Sequence, residues 1–348
     1  MHWNFACFGQ VALDMAHVPL SILDLAQVRE GGSPRESFQA SVALAQLAEA
    51  SGYRRVWYAE HHNMSTIASS ATSVLIAHVA AHTETIRLGA GGVMLPNHSP
   101  LVIAEQFGTL ETLHPGRIDL GLGRAPGSDQ NTMRALRRDH SAADTFPRDV
   151  QELQGFLTGN SRIIGVNAIP GKGTNVPLYI LGSSLFGAKL AAALGLPYSF
   201  ASHFAPNALE DAVATYRREF QPSDQLAAPH VIAGVNVIAA DSSEQAQAEF
   251  RAGQRLRVRQ LVGGGRAMSE DEADAILDSP SGQQIQQMSK YSAVGTAGEV
   301  DEYFDWFIEH ADADELIVAS NGLTVETILR SFELLAKARM PAHNRVET

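Results

Sequence analysis

Imidazole is the side chain best suited to moving a proton near neutral pH. Two histidines of this chain are adjacent, in Glu60-His61-His62-Asn63; another follows an amide in Asn97-His98, and another stands in Ser202-His203-Phe204. Arg124 lies between glycines in Gly123-Arg124-Ala125-Pro126-Gly127, a setting suited to holding an anion. Gly182-Ser183-Ser184 leads into the small-residue stretch Gly187-Ala188-Lys189-Leu190-Ala191-Ala192. Hydroxyls and unpaired backbone N–H groups at such a helix start are the ingredients of a phosphate site.

Each feature has a plainer reading. A lone histidine is most often structural, and adjacency shifts the balance toward chemistry for His61 and His62. Arg124 could pair with Asp119 or Asp129, and Ser183 or Ser184 could serve only as a helix N-cap. His78 and His82 have the four-residue spacing of metal ligands, but the stretch lacks the glutamate of an H-E-x-x-H site, so no metal is assigned. Gly121, Gly123 and Gly127 miss the dinucleotide spacing, and Pro126 stands where its helix should begin. The single cysteine, Cys7, excludes an intrachain disulfide and a thiolate metal cluster.

These residues need elements to position them. Strand-length apolar runs are predicted at 19–24, 55–59, 86–90, 117–122, 178–181, 198–201, 231–239 and 315–319, with helix-periodic segments between them. The first helix, at 34–51, opens with Ser33 as cap and Pro34 in the favoured first position. Eight βα units predict an α/β fold, a (β/α)₈ TIM barrel whose active site lies at the C-terminal ends of the strands. Asp24, Glu60 to Asn63, Gly91 to His98, Arg124, Ser183, Ser184 and His203 all follow such strands. The alternative, an open doubly wound sheet with an appended domain, would need a linker that the chain does not display. Residues 19–348 therefore read as one domain preceded by an extension at 1–18. The polar stretch 261–298, which contains Gly263-Gly264-Gly265, reads as a mobile excursion with little to bury, placed on the rim as a lid.

Composition narrows the partners. The chain has 348 residues, 45% hydrophobic and 18% charged, enough for a substantial core. Its formal net charge of -12 opposes binding to nucleic acid or anionic lipid, so a phosphate would need a local pocket of donors. The uncharged stretch 61–83 is too polar for a membrane span. With no signal-like start and one cysteine, a cytoplasmic location is expected.

The successive segments LSILDLAQV, GYRRVWYAEHHN, IRLGAGGVMLPNHSPLVIAEQFGTLETLHPGRIDLGLGRAPG and LYILGSSLFGAKLAAALGLPYSFASHF resemble the bacterial luciferase-like flavin-dependent monooxygenases, in particular the single-chain group 1 branch. The likeness runs from about residue 19 to 337. It implies a TIM barrel, usually a homodimer, that takes reduced FMN from a separate NAD(P)H:flavin reductase. With O₂ it would oxygenate a small organic substrate through a C4a-peroxyflavin. By motif, His61 matches the catalytic histidine beside the flavin. Arg124, Gly182, Ser183 and Ser184 match the phosphate site, and Gly91-Gly92 falls where relatives place a non-proline cis peptide against the flavin ring. Asp24, His62, Asn63, Asn97, His98 and His203 are then expected to line the substrate pocket.

Three other functions compete. A deazaflavin-dependent hydride-transfer enzyme would share the fold and differ in the reduced cofactor bound. A non-catalytic flavin-binding subunit would have less use for His61 and Arg124. A metal-dependent barrel hydrolase would draw on His61, His62, His98 and His203, which show neither a strand-borne H-x-H pair nor a convincing acidic bridge.

Overall fold

The computed structural model describes residues 18–125, 129–262, 268–320 and 322–340. Most of the expected extension, as well as Pro126, Gly127 and Gly263 to Gly265, lies outside the described residues. In chain order the strands are β1 (Leu20–Asp24), β2 (Arg55–Tyr58), β3 (Arg87–Met94), β4 (Ile118–Gly123), β5 (Leu178–Gly182), β6 (Tyr198–Phe200), β7 (Val231–Ala239), β8 (Ser292–Gly295) and β9 (Glu315–Ser320). The α-helices are α1 (Pro34–Ser51), α2 (Thr72–Ala80), α3 (Pro100–Leu113), α4 (Gln130–Ala135), α5 (Phe146–Thr158), α6 (Leu185–Leu194), α7 (Leu209–Glu219), α8 (Ser243–Val262), α9 (Glu270–Leu277), α10 (Pro280–Gln287), α11 (Ala297–Ala311) and α12 (Val325–Arg339).

All strand pairings are parallel. β1 to β7 follow one another, β7 pairs with β9, and β9 pairs with β1, so eight strands close into the expected barrel. β8 is a ninth strand outside the closure. It lies along the far half of β7, from Asn236 to Ala239, beyond the stretch Val231 to Ala233 that β6 occupies. Helix starts obey local rules: Ser33 and Glu36 form a reciprocal capping box on α1, and Gly52 ends that helix in the left-handed region at φ 84°.

Because side chains alternate across a strand, each barrel strand sends every second residue into the lumen. The N-terminal end of the lumen is filled by an ion cluster. Arg55 Nη1 lies 2.8 Å from Asp119 Oδ2, and Arg55 Nη2 lies 3.2 Å from Glu315 Oε2. Tyr179, Trp57 and Ser21 donate or accept hydrogen bonds within the same cluster, and Arg87 pairs with Asp119 from the side. Burial alone would lower the Arg55 pKa, but Asp119 and Glu315 outweigh it and hold the guanidinium above its ordinary value. One layer up, Trp57 fills the axis against Leu23 and Ile317. Its bulk dictates what faces it: a Cβ on Gly89 would meet Trp57 Nε1 at 2.8 Å, and one on Gly91 would meet Trp57 Cβ at 2.9 Å.

Two expectations change. β3 runs four residues past its expected end at 90, so Gly91 and Gly92 belong to the barrel wall, with the ladder to β4 shifted between Ala90 and Val93. The stretch 261–298 is not short of apolar surface. Val258, Met268, Ala273, Leu277 and Ile285 form a small core of their own between α8, α9 and α10, and Arg251 and Arg255 clamp α9 through Asp274. These apolar residues are spread over three helices and the segment before α9, so no one segment shows them as a core among the surrounding Gln, Asp and Glu.

Removing one partner of a buried ion cluster strands the others without compensation. Arg55→Met is expected to lower stability by about 3–5 kcal/mol, read from urea denaturation; a loss below about 1 kcal/mol would show that Asp119 and Glu315 do not depend on it.

Candidate active site

Above the Trp57 layer the lumen opens into a cavity of about 430 Å³ at the C-terminal ends of the strands. That is within the range of roughly 300–1,000 Å³ typical of small-molecule sites. Its wall is mainly apolar, with Leu23, Leu25, Trp57, Ala59, Ile317 and Ala319 among the lining residues. Polar groups are few: they enter from the loops after β2, β4, β5 and β6, from Ser199 and Asn236 on β6 and β7, and from Arg257 on α8.

Strand alternation sorts the candidate residues. Trp57, Ala59 and His61 are successive inward positions, and His61 lines the cavity with its backbone N–H tied to Ser69 O at 3.0 Å. Glu60 and His62, one residue out of phase, face the other way. Glu60 is buried, and its Oε1 accepts hydrogen bonds from His62 Nε2 and His98 Nε2, each at 2.8 Å, while Oε2 accepts from the Met94 N–H at 3.1 Å. Burial would raise the Glu60 pKa, yet the bonds from His62 and His98 outweigh it and hold the carboxyl below its ordinary value. The hydrogen bond to Glu60 raises the pKa of His62 in turn. This hub joins the loop after β2 to the end of β3, and so fixes the backbone on both sides of His61.

Five residues expected in the substrate pocket therefore do not line it. His62, His98 and Asn97 belong to the Glu60 hub. Asn63, at φ 56°, donates to Asp129 at 2.9 Å. Asp24 is also out of phase with the inward Leu23 and Leu25; its carboxylate accepts from Ser41 Oγ and the Ala26 N–H beneath α1. Burial raises the Asp24 pKa. The four histidines considered for a metal hydrolase are likewise divided, His61 and His203 on the cavity and His62 and His98 behind it. The acidic bridge that the sequence did not display is Glu60. It brings ligand-type atoms of Glu60, His62 and His98 within 4.8 Å of one another, but both histidine nitrogens are engaged as donors to its carboxylate. His78, on α2, and His82, two residues past its end, are both exposed, with their rings 4.7 Å apart and His82 Nδ1 turned to the His78 carbonyl.

At one end of the cavity the expected phosphate residues meet. Arg124, Gly182, Ser183 and Ser184 all line it. The Arg124 guanidinium lies 4.0 Å over the Phe186 ring and pairs with no carboxylate among the described residues. Asp119 and Asp129, its suggested partners, are engaged elsewhere. Ser184 occupies the N-cap position of α6, but its side chain makes no capping hydrogen bond. A guanidinium, two serine hydroxyls and a helix N-terminus thus converge without an anion from the described residues. Gly91 and Gly92 line the adjoining wall, and the peptide between them is cis, as expected.

On the β6–β7 side His203 lines the cavity. Its ring sits where Gly234 has no side chain: a Cβ there would lie 2.3 Å from His203 Nδ1. Asn236 Nδ2 donates to the His203 carbonyl at 2.6 Å. Nδ1 itself is buried without a hydrogen-bond partner, and burial, with the nearby charge of Arg257, pushes the ring pKa down to about 4. Asn236 and Arg257 are cavity residues that the sequence reading missed. Asn236 left a signal, as the one polar side chain in the run VIAGVNVIA. Arg257 left none, being one of several arginines on a polar helix.

The family model described as "Luciferase-like monooxygenase" matches residues 18–317. A "Luciferase-like monooxygenase" of Escherichia coli (strain K12) is 50% identical over 321 residues, 91% of this chain and 96% of its own length. The N-acetyl-S-alkylcysteine monooxygenase of Bacillus subtilis (strain 168) is 36% identical over 272 residues, 75% of this chain and 80% of that protein. Among solved structures, apo-MsnO8 is 35% identical with a TM-score of 0.84, covering 92% of this chain and 98% of its own.

A histidine held neutral by burial makes stability depend on pH. Unfolded, His203 titrates near its ordinary value of about 6.5; folded, near 4. Between those values the unfolded chain binds more protons, so stability falls as pH drops from about 6.5 toward 4. His203→Leu should flatten that fall, measured as urea midpoints at pH 7, 6 and 5. An unchanged slope in the variant would show that His203 is not the group responsible.

Proposed function

The chain belongs to the luciferase-like monooxygenase family, and from that premise we propose that it uses reduced FMN and O₂ to oxygenate a small organic substrate. The observation that carries this reading is the phosphate cradle of Arg124, Ser183, Ser184 and the α6 N-terminus, set beside the flat wall of Gly91 and Gly92. A phosphate-ended ligand with a planar ring suits those two features. The residues therefore fit FMN, with Arg124, Gly182, Ser183 and Ser184 at the phosphate and Gly91-Gly92 along the ring. Bound and reduced, FMN would supply the electrons that activate O₂.

The protein's part is to bind, orient and keep water out. The apolar lumen floor of Leu23, Trp57 and Ile317 gives a reacting oxygen no competing proton donor. His61 puts the imidazole that holds or delivers a proton at the cavity wall, and the Glu60 hub fixes the loop that carries it. In this reading a separate NAD(P)H:flavin reductase delivers the reduced cofactor and the chain acts as a homodimer in the cytoplasm. A deazaflavin in place of FMN is the alternative within the family. Anaerobic titration with reduced FMN and with reduced F420 separates the two: tighter binding of F420 would replace the monooxygenase reading with hydride transfer.

The cradle and the histidine have separable tests. A hydrogen bond to a charged group contributes about 1.5–3 kcal/mol, so Arg124→Ala should weaken FMN by roughly ten- to a hundredfold while leaving riboflavin unchanged. Equal losses for both ligands would remove Arg124 from the phosphate site.

For His61→Ala, reduced FMN should bind nearly as to wild type. With a substrate that wild type oxygenates, product per flavin oxidised should fall by about 10²–10⁴-fold, the usual contribution of acid–base assistance, with H₂O₂ rising in its place. Full coupling in the variant would exclude His61 from the chemistry.

A further inference from the structure

We propose that Arg257 is the anion anchor of the substrate pocket and that the organic substrate taken there carries a single carboxylate on an apolar body. The inference rests on the flavin reading above, which assigns the other cavity arginine, Arg124, to the cofactor phosphate. It begins from an unanswered charge. Arg257 is on α8, half-buried, and lines the cavity near His203 and Asn236. Among the described residues its one side-chain hydrogen bond is from Nη1 to Ser289 Oγ, at 2.7 Å. A guanidinium has five N–H donors, so most of its capacity is unused.

No carboxylate lies within ion-pair distance of Arg257 among the described residues, although the chain has 38 acidic residues against 26 basic ones. The contrast on its own helix is direct: Arg251 and Arg255, each nearer an acid, are both paired with Asp274. Burial lowers the Arg257 pKa with nothing to offset it. A partly buried cation without a partner is costly unless a ligand supplies the charge. Elsewhere in the protein the fully buried arginines among the described residues, Arg55 and Arg339, have their carboxylates built in.

The surroundings specify the ligand. His203 is neutral at pH 7, so the β6–β7 side of the cavity presents one positive charge, matched by one negative charge. The planar fork of arginine matches a carboxylate through two parallel hydrogen bonds. Most of what else a ligand would touch there is apolar, including Phe204, Ile317, Ala319 and Leu25, with Asn236 and Ser199 as neutral polar groups of the lining. Arg257 and Arg124 enter from different sectors of the wall. Arg124 follows β4 and faces the serines after β5, whereas Arg257 adjoins residues of β7 and the loop after β6. Two anions, the cofactor's phosphate and the substrate's carboxylate, are thereby kept apart.

The experiment compares hexanoate with hexanamide, which share an apolar chain and differ in charge, by calorimetric titration of the protein loaded with FMN. Wild type should bind hexanoate at least tenfold more tightly. Arg257→Met keeps the aliphatic stem on α8 and should erase that preference, while Arg257→Lys should restore part of it. FMN affinity should be the same in all three proteins. Equal binding of the two probes by wild type, or a preference that survives in Arg257→Met, would overturn the proposal. So would a loss of FMN but not riboflavin affinity in Arg257→Met, which would make Arg257 a phosphate ligand and leave the flavin reading intact. If wild type takes up no flavin, the titration is run on the free protein: a preference for hexanoate that Arg257→Met abolishes then supports the anion anchor while the flavin reading fails.

Discussion

A closed barrel of eight strands has to fill its own lumen, and this chain fills it from one end only. The N-terminal end is plugged by Arg55, Asp119, Glu315 and Tyr179, and the next layer by the indole of Trp57. Trp57 donates to Asp119, so the apolar layer is anchored on the ionic one. Among the described residues nothing comparable crosses the axis above it, and the space that remains is the cavity. The position of the site therefore follows from the plug. Glycine at 89 and 91 is part of the same constraint, since any side chain there would collide with the indole or with its neighbours.

Strand parity then decides which residues can do chemistry. In the run from Arg55 to His62, odd positions enter the lumen and even ones pack outside it, so of two adjacent histidines only His61 reaches the cavity. The same rule places Leu23 and Leu25 inside and Asp24 outside. The excluded polar residues are not idle. Glu60 uses His62 and His98 to tie two rim loops together, and a rim loop so tied can hold a catalytic side chain at a fixed place.

Much of this was legible in the sequence because it is local. The eight barrel strands, the α1 cap and the convergence of Arg124 with Ser183 and Ser184 follow from periodicity, cap chemistry and the rule that barrel sites lie at strand C-termini. Misplacing Asp24, His62 and His98 came from treating nearness to a strand end as equivalent to facing the lumen. Counting alternate residues back from Trp57 would have separated them. Other features are not local and left no trace in any one segment. Glu60 draws partners from residues 62 to 98, the α8–α10 core joins residues 258 to 285, and Arg257 reaches the cavity from a helix whose sequence reads as solvated surface.

Charge placement links the plug to the site. The two buried carboxylates of the plug, Asp119 and Glu315, are answered by Arg87 and Arg55, so that end of the barrel adds little net field to the space above it. A chain of net charge -12 would on average repel anions. Inside the cavity the local balance is reversed. Arg124 and Arg257 have no acidic partner among the described residues, and the low-dielectric wall of Leu23, Trp57 and Ile317 screens them less than water would. The charge of the chain as a whole and the charge of the cavity wall are thus opposite in sign, because two guanidinium groups face that space without built-in counter-charges among the described residues.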